Sequence, residues 1–194
     1  MRTLSLMICL LALAGCTRKH VGNFNYYSRN TGDKSTYVIL NDGKKIRGTR
    51  INTSDNLNYN TVVEIDGRSY KSSEVYAFQM GGMYFLRNGS VFLKRIIEGP
   101  KLNVYSTMHR TSIREGSYES PGHTYIITWL QRGASGKPFR FSHAVLAAEV
   151  KDCPMAYELA NKPSSQLRKL TRSNIEYFNE IVAIYNNNCQ KPEL

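Results

Sequence analysis

TYVILNDGKKIRGTRI, residues 36–51, decides the expected fold, because it has the form of two short β-strands joined by a tight turn. Its two halves contain the β-branched and aromatic residues that favour strands. Asn41-Asp42-Gly43 between them contains the Asp-Gly dipeptide that is typical of hairpins. Asp-Gly and Asn-Gly suit type I′ turns, in which both central residues adopt positive φ. The stretch therefore predicts an antiparallel β-hairpin.

The same turn chemistry recurs along the chain. Asp66-Gly67 interrupts TVVEIDGRSYKSSEVYAFQM, and Asn88-Gly89 interrupts GMYFLRNGSVFLKRII. KLNVYSTM, residues 101–108, has the composition of a further strand. Turns at a regular spacing predict an antiparallel meander, curled or barrel-like so that its edges are protected.

The next segment, residues 106–123, is polar and ends in Pro121-Gly122, which predicts a long loop. Residues 124–131 and 139–142 then pair as a last hairpin around RGASGKP. We expect the β body to cover residues 36–142.

The periodicity becomes helical after residue 142. A short helix is expected over residues 144–150. A second helix begins at Pro154, where a missing N–H costs nothing, with Asp152 as its cap. The third begins with SNIE, residues 173–176, which has the form of a capping box. The fold class is therefore α+β: a small antiparallel β-meander or barrel-like sheet, followed by a short helical C-terminal tail over residues 143–194.

The N-terminus, MRTLSLMICLLALAGC, has the parts of an export signal. Arg2 precedes an apolar run of signal-peptide length, too short to span a bilayer as a helix. Leu13-Ala14-Gly15-Cys16 resembles the lipobox of bacterial lipoproteins. That resemblance implies a signal peptide over residues 1–15, cleavage before Cys16, and acyl chains on Cys16 that anchor the chain to a membrane. The alternative is an ordinary secretory signal with an incidental cysteine.

The residues after Cys16 bear on location. Thr17 resembles the outer-membrane-directed type of lipoprotein. Arg18-Lys19 is basic, whereas some lipoproteins of the cell surface carry an acidic run at this point, so we expect the periplasmic face of the outer membrane. Residues 16–35 are polar and without periodicity, and they predict a flexible tether.

The expected export limits which cysteines can form a disulfide. Once Cys9 is removed and Cys16 is lipidated, Cys153 and Cys189 remain, and an even pair in an exported protein predicts a disulfide. Such a loop would stabilise the fold by roughly 4 kcal/mol in the chain-entropy model. The alternative is two reduced, buried thiols. Neither Cys has a CxxC spacing or a nearby His, so no metal site is expected.

The chain is strongly basic. Its net charge of +11 becomes +10 when Arg2 leaves with the signal peptide. One interpretation is contact with an anionic glycan or lipid of the envelope. The other is a merely solvated basic surface, since no block of like charges is long. Nucleic acid is not an expected partner of an exported lipoprotein.

The chain offers few candidates for catalysis, and we expect neither an enzyme nor a cofactor. GASGKP, residues 133–138, lacks the pattern of a phosphate-binding loop, because Gln131 and Pro138 stand at required positions. No HExxH spacing and no G-x-S-x-G elbow occur. A hydrolase using the 106–123 loop is the weakest hypothesis, and its candidate residues are His109, His123, Glu115, Glu119, Ser117 and Ser120, while His20 and His143 stand elsewhere.

Tyrosine is abundant, with 13 in the chain. A ladder of exposed tyrosines could stack on glycan rings or form a protein interface. The alternative is that these residues are strand formers packed across a sheet. The tyrosines in question are Tyr59, Tyr70, Tyr76, Tyr84 and Tyr105.

Three stretches together resemble a group of uncharacterised exported bacterial proteins with a β-rich N-terminal part and a Cys-Pro helical tail. They are YVIL (37–40) with DGKKIRG (42–48), YK (70–71) with EVYAF (74–78), and DCP (152–154) with Leu159 and the later IV (181–182) and YN (185–186). The resemblance implies export and fold. It transfers no catalytic residue and no ligand.

The sequence thus predicts a lipid-anchored cell-envelope protein that acts as a non-enzymatic interaction or structural module. The alternative is a binding protein for an anionic glycan or lipid. A clustered basic and aromatic face would favour that alternative.

Overall fold

The structure, a computed structural model, describes residues 33–56, 59–110, 113–115, 118–120, 124–173 and 175–189. The predicted signal peptide, Cys16 and the predicted tether as far as residue 32 lie outside these ranges. Among the helices of the described part, none is long and apolar enough to cross a membrane.

Strands occupy most of the first two thirds of the chain, and helices follow them. The strands are β1 (Thr36–Leu40), β2 (Lys45–Gly48), β3 (Ile51–Asn56), β4 (Tyr59–Ile65), β5 (Arg68–Lys71), β6 (Val75–Met80), β7 (Met83–Asn88), β8 (Val91–Ile97), β9 (Leu102–Arg110), β10 (Ile113–Glu115), β11 (Tyr118–Ser120), β12 (Thr124–Arg132) and β13 (Phe139–Arg140). The helices are α1 (His143–Glu149), α2 (Pro154–Ala160), α3 (Ser164–Ser173) and α4 (Ile175–Asn188), and a 3₁₀ turn over Ser72–Glu74 joins β5 to β6.

The predicted α+β class, an antiparallel sheet followed by helices, is confirmed. Eight strands form one sheet in the order β13-β12-β9-β8-β7-β6-β1-β2. β3, β4 and β5 form a separate three-stranded sheet, and β10 pairs with β11. The strand order adds a detail to the expected meander: β1 pairs with β6, so that Val38 lies opposite Phe78. The chain between β2 and β6 leaves the main sheet to build the smaller one.

The hairpin turns differ in type. At Asp66-Gly67 both residues have positive φ, 46° and 80°, so the type I′ expectation is confirmed there. It is wrong at the other two sites. Asn88 pairs with Val91, which makes Gly89 the first residue of a two-residue loop with φ of 65°, as in a type II′ turn. Gly43 closes a longer loop, in which its N–H donates to the carbonyl of Leu40.

The expectation of a loop over residues 106–123 is wrong for the residues that can be described. β9 continues to Arg110 and pairs with β12 over nine positions, from Leu102 opposite Arg132 to Arg110 opposite Thr124. β10 and β11 form a short hairpin beyond them. Polar residues at 106–110 can extend the strand because β12 supplies backbone partners along its full length. That partner is remote in sequence, so local composition does not reveal it.

The helical tail contains one more helix than expected. Pro163 accepts from the N–H groups of Gln166 and Leu167, so α3 begins directly after the proline that was expected only to end a helix. The N-cap of α2 is Cys153, not Asp152. The capping box predicted over residues 173–176 includes residue 174, which lies outside the described residues.

One face of the eight-stranded sheet is covered by two separate layers. At the β1–β6 end, Val38 and Phe78 pack against Ile51 and Val63 of the smaller sheet. At the β9–β12 end, the strand residues pack against the helices in a core formed by Leu102, Val104, Leu130, Leu146, Phe178, Ile181 and Val182. Both groups lie on the same face of the sheet. Four residues are in register across β6–β9: Phe78, Phe85, Lys94 and Ser106. Val104 lies two residues from Ser106 on β9, and alternate residues of a strand share a face.

The predicted disulfide between Cys153 and Cys189 is present, with 5.5 Å between the Cα atoms. It joins the start of α2 to the residue that follows α4, and Cys153 is fully buried in the helical core. The end of α4 is also tied to the sheet by Asn186. Its side-chain oxygen accepts from the N–H of Leu102 at 2.9 Å, and its amide donates to the carbonyl of Leu102 at 2.9 Å.

Candidate binding surface

The second face of the eight-stranded sheet, hereafter the open face, has its own buried cluster. Ala77, Leu86, Leu93 and Tyr105 are each no more than 2% exposed. In the described part of the chain, the residues packed against them also come from the sheet: Ile39, Tyr84, Val91 and Trp129. Within the described ranges, the smaller sheet and the helices contribute no residue to this cluster.

A single line of side chains crosses the open face through all eight strands. We call this line the aromatic–arginine row. From one edge of the sheet to the other it consists of Arg47, Tyr37, Gln79, Tyr84, Arg95, Tyr105, Trp129 and Arg140. Each step is a cross-strand register pair, except Tyr84 to Arg95, which is a direct contact.

Arg95 lies near the middle of the row and is held by its neighbours. Its guanidinium carbon lies 4.2 Å from the centre of the Tyr84 ring, a cation–π geometry. Its Nη1 atom is 2.9 Å from a carboxylate oxygen of Glu98. The Arg95 side chain is 14% exposed, whereas that of Glu98 is 61% exposed. The Nε of Arg95 is buried and has no hydrogen-bond partner in the described part of the chain.

Lys45 places a second cation beside the row. Its Nζ lies 3.6 Å from the centre of the Tyr37 ring. Lys45 and Arg47 are both exposed on β2, the edge strand. Charged side chains on an edge strand also oppose pairing with another sheet. The cations at this edge therefore serve the fold in addition to any ligand.

Two tyrosine–glutamine pairs make the row rigid. The Tyr37 hydroxyl donates to Oε1 of Gln79 at 3.1 Å, and the Tyr105 hydroxyl donates to Oε1 of Gln131 at 2.7 Å. Both glutamines are almost fully buried. Their amide groups donate to backbone carbonyls, for example that of Gly136 at 2.6 Å, so each buried amide is satisfied.

Burial makes the tyrosines of the row harder to ionise. Desolvation raises the pKa of Tyr84 to about 12, and it also raises the pKa values of Tyr37 and Tyr105. The positive charge of Arg95 acts on all three hydroxyls and opposes this effect. The three hydroxyls therefore resist deprotonation above the ordinary tyrosine pKa of about 10.

Trp129 completes the row towards the β13 edge. It lies opposite Tyr105 and Arg140 in register, and its indole Nε1 donates to the Thr107 hydroxyl at 3.2 Å. It is half-buried, and it is the only tryptophan of the chain. Its fluorescence can therefore report on this surface alone.

The row combines cationic and aromatic side chains. The row contains three guanidinium groups, aromatic rings and one amide, and none of its members is a carboxylate. Guanidinium groups recognise carboxylate and phosphate through paired hydrogen bonds. Arg95 differs from the two edge arginines because its position is set by Tyr84 and Glu98 before any ligand arrives.

The predicted tyrosine ladder does not exist as one surface. Tyr84 and Tyr105 belong to the row, but Tyr70 packs in the core between the two sheets, and Tyr76 is 37% exposed in β6. The side chain of Tyr59 is outside the described part. Tyr37 and Trp129 are not among the tyrosine-ladder residues predicted from the sequence, because their places in the row depend on strands that are distant in sequence.

The basic dipeptide Lys94-Arg95 is divided by strand alternation. Arg95 belongs to the open face, whereas Lys94 is 6% exposed on the covered face. Burial lowers the pKa of Lys94. The Asn88-Gly89 turn could have located Arg95 from the sequence. Once this turn fixes the register of the β7–β8 hairpin, Arg95 lies opposite Tyr84.

The side chains of the predicted catalytic candidates lie outside the described part of the chain, so the hydrolase hypothesis stays a prediction. Glu115 pairs with Tyr118 and Glu119 with Arg114 in the β10–β11 hairpin, so the two glutamates are not cross-strand partners. The backbone of His109 pairs with Tyr125 in the β9–β12 ladder. The candidates His20, Ser117 and His123 lie outside the described residues.

The remaining motifs have structural roles. His143 begins α1, with its ring 5.3 Å from that of Phe141. In the β12–β13 loop, the N–H of Gly136 donates to the carbonyl of Arg132, which is hairpin geometry. Within the ranges that the structure describes, no group of three His, Cys, Asp or Glu side chains could hold a metal ion.

Comparisons with protein-family models, with curated proteins and with solved structures found no match. The resemblances to lipoproteins and to the group of exported proteins therefore stay predictions.

Proposed function

We propose that this chain is a lipid-anchored protein of the cell envelope, a non-enzymatic binding module that engages its partner through the open face. Lipid on Cys16 would hold it at the periplasmic face of the outer membrane, and residues 16–35 would act as its tether. The lipobox-like Leu13-Ala14-Gly15-Cys16 and the basic residues after it support this location.

The aromatic–arginine row is the observation that supports the open face as the binding surface. A sheet usually covers a face of this apolar content with another layer. Among the described residues, the smaller sheet and the helices pack on the opposite face, and on the open face the Arg95 guanidinium packs on the Tyr84 ring. Aromatic residues and arginine are the residue types enriched where proteins bind partners.

The anchor is tested by cell fractionation. Cys16→Ala is expected to release the protein from membranes into the soluble periplasmic fraction. Cys9→Ala is the matched control, because Cys9 would be removed with the signal peptide, and it should leave the protein membrane-bound. Retention of the Cys16→Ala protein on membranes would contradict the anchor.

The binding face is tested by photo-crosslinking in intact cells. A photoreactive residue replaces Arg47, at the exposed edge of the row, or Ser69, which is exposed on β5 of the smaller sheet. Capture followed by mass spectrometry should give a product at position 47 that is missing at position 69. Equal capture at the two positions would refute the open face as the binding surface.

A further inference from the structure

We propose that residues 22–32, the chain directly before the first described residue, lie across the open face as a strap, and that a binding partner must displace them. The docking of the strap stands by itself, whereas its displacement by a partner rests on the proposed function. The strap contains three aromatic residues: Phe24, Tyr26 and Tyr27.

The first step is the burial of the cluster on the open face. Ala77 and Leu93 are fully buried, and Leu86 is 2% exposed. In the described part of the chain, the residues packed against this cluster belong to the same sheet and are only partly buried themselves. Aliphatic residues in the middle of a sheet face are normally buried by a second layer. We infer that this layer comes from outside the described residues.

The second step is the point at which the N-terminal chain meets the sheet. The side-chain amide of Gln79, a member of the row, donates to the carbonyls of Asp33 at 3.0 Å and of Ser35 at 3.1 Å. The Asp33 carboxylate accepts from the N–H and the hydroxyl of Ser35 at 2.8 and 2.9 Å, so the chain bends here. The chain before Asp33 therefore starts on the open face, beside the row.

The third step is the reach of the segment. The strand order places β12 four strand spacings from β6, which is about 19 Å at about 4.8 Å per spacing. An extended chain covers about 3.3 Å per residue, so about six residues span this distance. The chain from Asp33 back to Tyr27 is therefore long enough to cross the cluster and reach Trp129.

The fourth step is the composition of the segment. Residues 22–32 contain a single charged residue, Arg29, beside the three aromatic residues. Aromatic rings pack on aromatic and guanidinium side chains, the groups that the row presents. The other end of the chain does not fit this role, since residues 190–194 contain no aromatic residue and follow Cys189, which packs against the helical core on the opposite face.

Displacement of the strap would change two properties of the protein. It would open the cluster and the row to a partner. It would also lengthen the free part of the proposed tether from residues 16–21 to residues 16–32, from about 20 Å to about 55 Å of extended chain. The protein would then reach further from its anchor when its binding face is open.

Photo-crosslinking of the purified full protein tests the docking. A photoreactive phenylalanine analogue replaces Tyr84 in the row or, as the control, Tyr157, which is exposed on α2. Mass spectrometry should find position 84 joined to a peptide from residues 22–32 of the same molecule, and position 157 should give no such product. Linkage to residues 110–124, linkage to a second copy, or no product would overturn the docking. Val91, which packs against the cluster, is the alternative position if the substitution of Tyr84 prevents folding.

Trp129 fluorescence tests the aromatic residues of the strap. Quenching by acrylamide should increase in the triple variant Phe24→Ser, Tyr26→Ser, Tyr27→Ser, because Trp129 loses its cover. The matched triple variant Asn25→Ala, Ser28→Ala, Asn30→Ala changes the same segment and should be quenched like the wild-type protein. Equal quenching of the two variants would overturn the role of the aromatic residues.

Capture in intact cells tests displacement by a partner. A strap that is closed in about nine molecules of ten lowers the apparent affinity for a partner about tenfold. Capture at position 47 should therefore rise in the aromatic variant, by up to about that factor, and stay at the wild-type level in the matched variant. Unchanged or lower capture in the aromatic variant would overturn displacement.

The two proposals fail separately. Equal capture at positions 47 and 69 in cells would refute the open face as the binding surface, while the product at position 84 would still support the strap. Absence of the product at position 84 would overturn the strap, while capture specific to position 47 would still support the proposed function.

Discussion

Asn186→Ala is expected to destabilise the protein strongly, although Asn186 is one of three consecutive asparagines. Its side-chain oxygen accepts from the N–H groups of Lys101 and Leu102, and its amide donates to the carbonyl of Leu102. These three hydrogen bonds join the last turn of α4 to Leu102, the first residue of β9, and to Lys101 before it. Asn186 is 9% exposed and Leu102 is fully buried.

The expected loss of stability comes from the buried backbone groups that Asn186→Ala leaves without a partner. A buried hydrogen bond contributes about 1 kcal/mol net, and a buried donor left without a partner costs about 1–3 kcal/mol. Loss of the Asn186 amide therefore predicts a decrease of about 3 kcal/mol in the free energy of unfolding. The neighbouring Asn187 is exposed, so Asn187→Ala should change stability by less than about 0.5 kcal/mol.

Urea unfolding of the two variants and the wild-type protein measures the difference. The midpoint for Asn186→Ala should fall with an unchanged slope. A double-mutant cycle with Gly99→Ala adds a second measurement, because a Cβ on Gly99 would overlap the Asn186 amide. Gly99→Ala should cost less stability in the Asn186→Ala background than in the wild type. Equal stability of Asn186→Ala and Asn187→Ala would refute the reasoning.

Three further predictions concern the disulfide and two titrating side chains. Replacement of Cys153 and Cys189 by Ala should lower the free energy of unfolding by roughly 4 kcal/mol in the chain-entropy model, measured by urea unfolding, and a change below about 1 kcal/mol would contradict it. Folding raises the pKa of Tyr84 to about 12. The stability of the folded state should therefore fall by about 1.4 kcal/mol per pH unit between about pH 10 and about pH 12, as Tyr84 ionises more readily in the unfolded chain. Tyr84→Phe should make this alkaline decline of stability less steep than in the wild-type protein. Hydrogen bonds from Thr49 lower the pKa of Asp66, so its contribution to stability is present above the ordinary carboxyl pKa of 3.8 and is lost as the pH falls below it. Asp66→Asn should reduce the acid sensitivity of unfolding, and an unchanged pH profile would argue against this role.

Local chemistry made much of the fold predictable. The Asp-Gly and Asn-Gly dipeptides placed the hairpins of β1–β2, β4–β5 and β7–β8, since such turns are specified by adjacent residues. Pro154 marked the start of α2 for the same reason. The pairing of Cys153 with Cys189 followed from counting, because only these two cysteines would remain after the predicted cleavage and lipidation.

The errors share a physical cause. Residues 106–110 form a strand because β12 lies beside them, and α3 forms because Leu167 is buried in the helical core. In both segments tertiary contacts override a polar composition. The Asn88-Gly89 turn resembles type II′ instead of type I′, because Asn88 pairs with Val91 and so belongs to the strand.

The sequence by itself determined the fold class, most hairpins and the disulfide partners, because each depends on adjacent residues or on simple counting. It also predicts export and anchoring, which the described residues do not reach. Only the tertiary structure decided the candidate site. The row joins residues from Tyr37 to Arg140, and their alignment depends on which strands pair and in which register. A shift of one residue in any strand would move its member to the covered face, so the surface exists only in the assembled sheet.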